Sequence, residues 1–427
     1  MAVDGTTFFD GTAFDSTVFL AARRPGGPNS RPAAAVKGLA MKILHTSDWH
    51  LGRTLHGESL LEHQAGFARW LLDQATGHQV DAVIVAGDVY DRAVPPPDAV
   101  TILDQTLSGF AEAAIPVLLT SGNHDSAIRL GFGRRLSERA GIHLRTSLAD
   151  LARPLVITDE HGPAGLYGVP YLLPDAVMAD LGADRSHEAV LAAATDRIRA
   201  DARERGLDRV VVAAHAFVTG AVQSPSERDI RVGGIGDAPA SVFAGFSYAA
   251  LGHLHGPQVV PAPGGTVARY SGSPLAFSFG EARQRKSVAL VELDGAGQAA
   301  VTLLAAPVPR PLAEVRGTLD GLLARARGDL AGLAGAWVKA VLTDQVRPSA
   351  PMERLREHWP HTLVLDFAPE GGLPGADADL ARVAEASDPA EICAMFVEYA
   401  SGGPPDQAQR AELRDVTETV RRAEAAA

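Results

Sequence analysis

Five polar strings follow apolar runs in this chain, and each offers side chains that bind metal. They are Asp48-Trp49-His50, Gly87-Asp88-Val89-Tyr90-Asp91, Gly122-Asn123-His124-Asp125, His215 after Val210–Ala214, and Gly252-His253-Leu254-His255. Along an extended segment residues two apart point the same way, so Asp48 and His50 converge on one point. Gly87 permits a sharp turn, and the Asp88 carboxylate has lone pairs enough to bridge two cations. Asp91 is placed to orient a neighbouring ligand from behind. Asn123 offers a neutral hard oxygen, while His124, next in line, projects toward a substrate instead of a metal. His253 and His255 can serve two metals or one.

Each string alone has a plainer reading: D-x-H as a surface or core pair, G-D and N-H-D as turns, and His215 as a satisfied core histidine. Five in order, each at the end of an apolar run, make a purely structural reading untenable. Mixed nitrogen and oxygen ligands suit Mn²⁺, Fe or Zn²⁺ better than Ca²⁺ or Mg²⁺. Two such cations about 3.5–4 Å apart activate water and clamp phosphate oxygens. The chemistry expected is phosphoester hydrolysis.

The elements that must position these residues are legible as short strands and amphipathic helices. Lys42–Thr46, Asp81–Ala86, Ile115–Thr120, Val210–Ala214 and Ser247–Leu251 read as strands ending at the five strings. Leu60–Thr76, with Leu60, Leu61, Phe67, Trp70, Leu71 and Leu72 on one side, and Asp98–Ala113, after three prolines, read as helices. Sites in open α/β sheets lie outside the carboxyl ends of strands, and the alternation implies a layered α/β domain. Val288–Leu293 and Val301–Leu304 read as its closing strands. After Pro307–Pro311, Leu312–Phe367 reads as strand, helix (Leu319–Leu333), strand (Ala336–Leu342), helix (Met352–His358) and strand (Thr362–Phe367), a small α+β unit. Pro389–Ser401 and Asp406–Ala423 read as two closing helices, with Ile392, Met395, Phe396 and Tyr399 at helical spacing, an apolar stripe for a partner or for the chain's own core.

At 427 residues, with 46 % hydrophobic and 21 % charged residues, the chain suits two or three globular domains. One cysteine, Cys393, excludes an internal disulfide framework. The net charge of −12 argues against a simple electrostatic DNA coat. The charge is uneven: Arg283–Arg356 holds eleven Lys/Arg against seven Asp/Glu, and Glu370–Ala427 five against twelve. No apolar run approaches a membrane span. Residues 1–40 lack the basic start and apolar block of a secretion signal. They read as a disordered extension or as a start assigned too far upstream.

The set D-x-H, GD-x-x-D, GNHD, H and GH-x-H resembles the calcineurin-like metallophosphoesterases. MKILHTSDWHLGRTLH (Met41–His56), VDAVIVAGDVYD, SGNHDS and YSGSPLAFSFGE narrow the resemblance to the SbcD family of bacterial nuclease subunits, closely over residues 41–286 and by layout beyond. The resemblance implies a layered metallophosphoesterase β-sandwich flanked by helices over 41–306. An α+β capping, DNA-binding domain would occupy 307–370, and a partner-binding helix-loop-helix 371–427. Asp48, His50, Asp88 and His255 would hold one divalent metal, Mn²⁺. Asp88, Asn123, His215 and His253 would hold the other. His124 would contact the scissile phosphate and help protonate or orient the leaving oxygen, and His56 would lie near the phosphodiester. Arg53 is either a DNA phosphate contact or a solvated arginine. Ser271 and Ser273 receive no chemistry. The implied partners are DNA and an SbcC-type coiled-coil ABC ATPase, with two copies of this chain in a heterotetramer paired through nuclease-domain helices, for which Leu60–Thr76 and Asp98–Ala113 are candidates. The implied setting is the cytoplasm, at the nucleoid. The implied activity is ATP-dependent double-strand exonuclease and single-strand or hairpin endonuclease action in DNA repair, replication and recombination. The rivals are a small-molecule or cyclic-nucleotide phosphodiesterase and a non-catalytic scaffold.

Overall fold

The computed structural model describes residues 40–222, 226–227, 237–369, 386, 388–401 and 403–425. Apart from residue 40, the N-terminal extension lies outside the described residues. Among the described residues, seventeen strands follow in chain order. They are β1 (Met41–Thr46), β2 (Thr54–Leu55), β3 (Glu58–Ser59), β4 (Ala82–Ala86), β5 (Val117–Thr120) and β6 (Ile142–Arg145); then β7 (Leu155–Asp159), β8 (Gly162–Val169), β9 (Arg209–His215), β10 (Tyr248–Gly252), β11 (Gln258–Pro261) and β12 (Val267–Tyr270); and finally β13 (Ser287–Leu293), β14 (Ala299–Ala305), β15 (Leu312–Gly317), β16 (Trp337–Leu342) and β17 (Thr362–Phe367).

Two six-stranded sheets form the sandwich, in the orders β14-β13-β1-β4-β5-β6 and β11-β12-β10-β9-β8-β7. The central pairings, β1–β4–β5–β6 in one sheet and β8–β9–β10–β12 in the other, are parallel. The pairings β13–β1, β13–β14, β7–β8 and β11–β12 are antiparallel. Successive strand residues face opposite sides, and here both sides are buried. In β4, Ala82, Ile84 and Ala86 face the second sheet, where they meet Val211, Ala213, Tyr248 and Ala250. Val83 and Val85 face the helices Leu61–Gly77 and Pro97–Glu112. In β9, Val210, Val212 and Ala214 face the helix His187–Arg205. Burial on both sides explains why these strands read as continuous apolar runs. The layered α/β expectation holds.

The helix Leu61–Gly77 buries Gln64, Phe67, Ala68, Leu71 and Ala75, and Leu61, Trp70 and Leu72 pack half-buried against the same core, as their spacing predicts. One local reading is corrected. The helix read over Leu319–Leu333 stops at Ala326, where Arg327 and Gly328 bond back to Ala324 and Arg325, and a short 3₁₀ turn (Ala331–Gly335) completes the connection.

Strands β15–β16–β17 form a separate parallel sheet. The helices Leu319–Ala326 and Pro351–Arg356 pack on it around Leu322, Val338, Ala340, Leu355 and Trp359. A second apolar cluster joins Trp337 of this sheet to Leu55, Leu60, Leu275, Phe277 and Phe279 of the sandwich. The helices Pro389–Ser401 and Gln407–Ala425 pair with each other. Phe396 is 67 % exposed, so it is no part of an internal core. No helix among the described residues is long and apolar enough to cross a membrane.

Trp359 is fully buried and its indole N–H donates to the Leu330 carbonyl at 3.2 Å. Trp359→Ala should therefore cost about 3–5 kcal/mol through the cavity it opens. Urea denaturation measures this, and an unchanged midpoint would contradict the packing described.

Candidate metal centre

The carboxyl ends of β1, β4, β5, β9 and β10 meet at one rim of the sandwich, and the five polar strings leave the strands there. Their approach is close enough to dictate residue type. A Cβ on Gly122 would lie 2.1 Å from Asp88 Oδ1, and one on Gly252 would lie 1.8 Å from the Ala86 carbonyl oxygen. Glycine is thus required immediately before Asn123 and His253. Four of the candidate ligands themselves hold positive φ: Asp48 (54°), His50 (44°), Asp88 (48°) and His253 (114°). Such conformations cost of order 1–3 kcal/mol each in non-glycine residues and persist only where their surroundings enforce them. Here Asp48 N–H donates to the Gly87 carbonyl and His50 N–H to the Asp88 carbonyl, each at 3.0 Å. His253 N–H donates to Asp48 Oδ1 at 3.0 Å.

The seven predicted ligand residues come together. Asp88 Oδ2 lies 3.5 Å from His215 Nε2 and 3.6 Å from His50 Nε2. His50 Nε2 is 3.2 Å from His255 Nε2. Asn123 Oδ1 is 2.9 Å from His215 Nε2 and 3.3 Å from His253 Nδ1. Ligand atoms of Asp48, His50 and His255 form one tight group, and those of Asp48, Asp88 and His215 a second. Asp48 thus belongs to both groups, as Asp88 Oδ2 also lies between His50 and His215.

What stands behind the imidazoles sets which nitrogen faces inward. His215 Nδ1 lies 3.0 Å from the Ala86 carbonyl, so it donates there and turns the Nε2 lone pair toward the oxygens of Asn123 and Asp88. His124 Nδ1 likewise donates to the Asp91 carbonyl at 2.7 Å. His255 Nδ1 faces Ser226 Oγ at 2.8 Å and Glu281 Oε1 at 3.3 Å, leaving Nε2 to face His50. His253 Nε2 is buried with no hydrogen-bond partner. Lone pair thus faces lone pair, and only a proton or a metal cation between them reconciles the arrangement.

The charges agree. Burial raises the Asp48 carboxyl to about 7, against the pull of the His215 charge. Burial also works against Asp88, but the charge and hydrogen bond of His215, with His50 and His124, hold it well below the usual carboxylate range. For His215, burial is outweighed by the Asp88 charge, and its pKa rises to about 9. Burial lowers His253 to about 3 and His50 well below its ordinary value. The raised basicity of His215 marks uncompensated negative charge around it, which a divalent cation would offset, and metal binding displaces protons from its ligands. The donor set of carboxylates, amide oxygen and imidazoles fits divalent metal.

The remaining predicted residues are placed as follows. His124 is buried beside the group, its N–H 2.9 Å from Asp88 Oδ1 and its Nε2 3.9 Å from Asp88 Oδ2. His56 is exposed at the tip of the β2–β3 ribbon, where His56 (φ 49°) and Gly57 (φ 92°) form the turn and the ring lies 5.5 Å from Phe279. Arg53 is not a solvated arginine. Its guanidinium donates to the Ser226 carbonyl at 2.9 Å, lies 3.6 Å from Asp91 Oδ1 and covers the Phe277 ring at 4.8 Å.

Several supporting residues escaped the sequence reading. Gln64 donates to the His50 carbonyl at 2.7 Å and accepts from Gly52 N–H at 3.0 Å, pinning the loop after β1. Its signal was a polar residue at an apolar helix position. Asp125, in a string that drew attention for its neighbours, accepts from Val89, Tyr90 and Gly122 N–H and so fixes the turns around Asp88 and Asn123. Ser271, to which the sequence assigned no chemistry, bonds Ser47 Oγ at 2.8 Å, and Ser47 donates to Asp48. Glu281 and Lys286 stand behind His255. The glutamate was visible only as the end of the segment YSGSPLAFSFGE.

Gly122→Ala should displace the Asp88 carboxylate and lower Mn²⁺ affinity at both groups, with little loss of secondary structure. Calorimetric titration alongside circular dichroism tests this; wild-type affinity would show that the close approach at Gly122 is not required.

Residues 41–257 match the family model for calcineurin-like phosphoesterases. Residues 308–400 match the model described as the type 5 capsule protein repressor C-terminal domain. The chain is 35 % identical over 295 residues to the SbcD subunit of the SbcCD nuclease of Escherichia coli, covering 67 % of this chain and 73 % of that one. It is 34 % identical over 256 residues to the corresponding SbcCD nuclease subunit of Staphylococcus saprophyticus and 37 % over 265 residues to that of Bacillus subtilis. Each of these two matches covers 59 % of this chain and 66 % of the relative, just under two thirds of its length. With half of its length matching the phosphoesterase model, and with that set of relatives, the chain belongs to the calcineurin-like phosphoesterases, in the SbcD family.

Proposed function

We propose that this chain is the nuclease subunit of an SbcC–SbcD complex and hydrolyses DNA phosphodiester bonds at the centre described above. The observation that carries the chemistry is the buried meeting of Asp48 and Asp88 with imidazole lone pairs turned inward. The choice of DNA follows from the relatives, which are named as nuclease subunits.

Asp48, His50, Asp88 and His255 hold one divalent cation, and Asp88, Asn123, His215 and His253 the other; Mn²⁺ is the proposed metal. Such a pair would supply positive charge to the nonbridging phosphate oxygens and would lower the pKa of water. His124 acts on the leaving oxygen. With Nδ1 committed to the Asp91 carbonyl, its Nε2, 3.9 Å from Asp88 Oδ2, is the nitrogen proposed to carry a proton to the departing alkoxide. Arg53, fixed by Asp91 and Phe277, is a preset positive charge at the edge of the centre for a DNA phosphate. His56, exposed at its ribbon tip, touches the DNA strand.

The sheet β15–β17 with its two helices lies beside the segment 275–279 and acts as the cap that meets DNA. The exposed Ile392, Phe396, Val416 and Val420 of the closing helix pair are the proposed seat for the coiled-coil ATPase. Two copies of the chain pair within a heterotetramer. The helices Leu61–Gly77 and Pro97–Glu112 spend their apolar faces on the sandwich core. The pairing is therefore proposed through the neighbouring exposed residues Ile128, Phe132 and Leu136. The complex works on DNA in the cytoplasm, in repair, replication and recombination.

With Mn²⁺ and the ATPase partner, the chain should degrade linear plasmid DNA. Asp88→Ala should lower that rate by ~10²–10³-fold or more, and chelation should abolish it reversibly. Cleavage of a bis-aryl phosphodiester but never of DNA would favour a small-molecule phosphodiesterase. Undiminished DNA cleavage by Asp88→Ala would refute the metal assignment.

A further inference from the structure

We propose that Glu281, braced by Lys286, is a positioning residue for one cation site and not for the other. It fixes the His255 ring as the Nδ1–H tautomer with Nε2 aimed at His50 and Asp48. The inference rests on the two-cation reading above.

Both residues are buried, Glu281 to 1 % and Lys286 to 4 % exposure. Glu281 Oε1 lies 3.3 Å from His255 Nδ1. Ser226 Oγ sits 2.8 Å from the same nitrogen and hands its own hydrogen to Glu281. The carboxylate is therefore the final acceptor by either route. Lys286 Nζ donates to Glu281 Oε2 and also to the His255 carbonyl oxygen at 2.9 Å, to Ser273 Oγ at 2.9 Å and to Gln284 Oε1 at 2.7 Å. One buried ammonium thus holds the carboxylate behind the ring and the main chain of the same histidine.

A buried ion pair is a poor device for stability alone, because desolvation offsets its attraction. A carboxylate behind a histidine ligand is a good device for fixing tautomer and orientation. The second site has no such side-chain pair among the described residues. There the His215 ring is set by the Ala86 main-chain carbonyl at the end of β4. Loss of Glu281 should therefore be felt at one site.

The test is calorimetric titration of the metal-free full chain with Mn²⁺, read together with the electron paramagnetic resonance of the bound ions. Wild type should bind two equivalents and show a spin-coupled pair. Glu281→Leu combined with Lys286→Met removes both charges at similar volume. It should raise the Kd of one equivalent by about 10–100-fold, leave the other unchanged, and delay the coupled signal to high Mn²⁺. Wild-type affinity at both sites overturns the inference. Equal weakening at both also overturns it, by reducing the pair to a general stabilising role. If the double variant does not fold, Glu281→Gln decides. It should weaken the same single site by about tenfold, and wild-type binding by it overturns the inference. Fewer than two equivalents bound by wild type would instead overturn the two-cation reading itself.

Discussion

Two carboxylates buried side by side govern this structure. Asp48 and Asp88 are 0 % and 2 % exposed, and like charges so placed cannot both stay ionised without positive charge between them. Asp88 draws the His215 pKa up to about 9, which offsets part of that charge, and the donor set fits a divalent metal that would offset the rest. The inward lone pairs of the imidazoles, the carbonyls and carboxylates behind them, and the strained backbone of four ligands all follow from this need.

The fold meets that need by ending the parallel strands of two sheets at one rim. β1, β4 and β5 bring Asp48, His50, Asp88 and Asn123 from one sheet, and β9 and β10 bring His215, His253 and His255 from the other. The sheets approach so closely there that Gly252 would collide with the Ala86 carbonyl if it carried a side chain. The strain at Asp48, His50, Asp88 and His253 is tolerable because it sits just past the ends of strands buried on both faces. Their hydrogen bonds cross from string to string, from Asp48 N–H to Gly87, His50 N–H to Asp88 and His253 N–H to Asp48, so each turn is enforced by the others.

Much of this was legible in the sequence because the strands that end at the rim are continuous apolar runs and the strings that follow carry metal-binding residues. β8 was not legible. Its sequence, GPAGLYGV, carries three glycines and a proline, and it is a strand because its neighbours β7 and β9 pair with it. The helix His187–Arg205 was missed because its buried Val190, Leu191 and Ile198 are interspersed with Ala194, Thr195 and Ala202 in a strongly charged segment. The ligands announced themselves by type and position. Their supports did not, because Gln64, Asp125, Ser271, Glu281 and Lys286 act through contacts far apart in the chain, and no local spacing encodes that. Arg53 was ambiguous for the same reason: only the fold brings Phe277 and Asp91 to it.

The segment from Ser271 to Lys286 ties the centre to the rest of the chain. Ser271 reaches Asp48 through Ser47, Phe277 lies edge-on to His50 and His255, and Glu281 stands behind His255. Its apolar side chains pack against Trp337 of the third sheet. On the function proposed above, all of this serves a pair of cations sharing the Asp88 carboxylate. Anomalous scattering from crystals of the full chain grown with Mn²⁺ tests it most directly. Two peaks about 3.5–4 Å apart are expected, one beside His50 and His255 and one beside Asn123, His215 and His253, with Asp88 between them. A single peak, or two peaks that do not share Asp88, would contradict it.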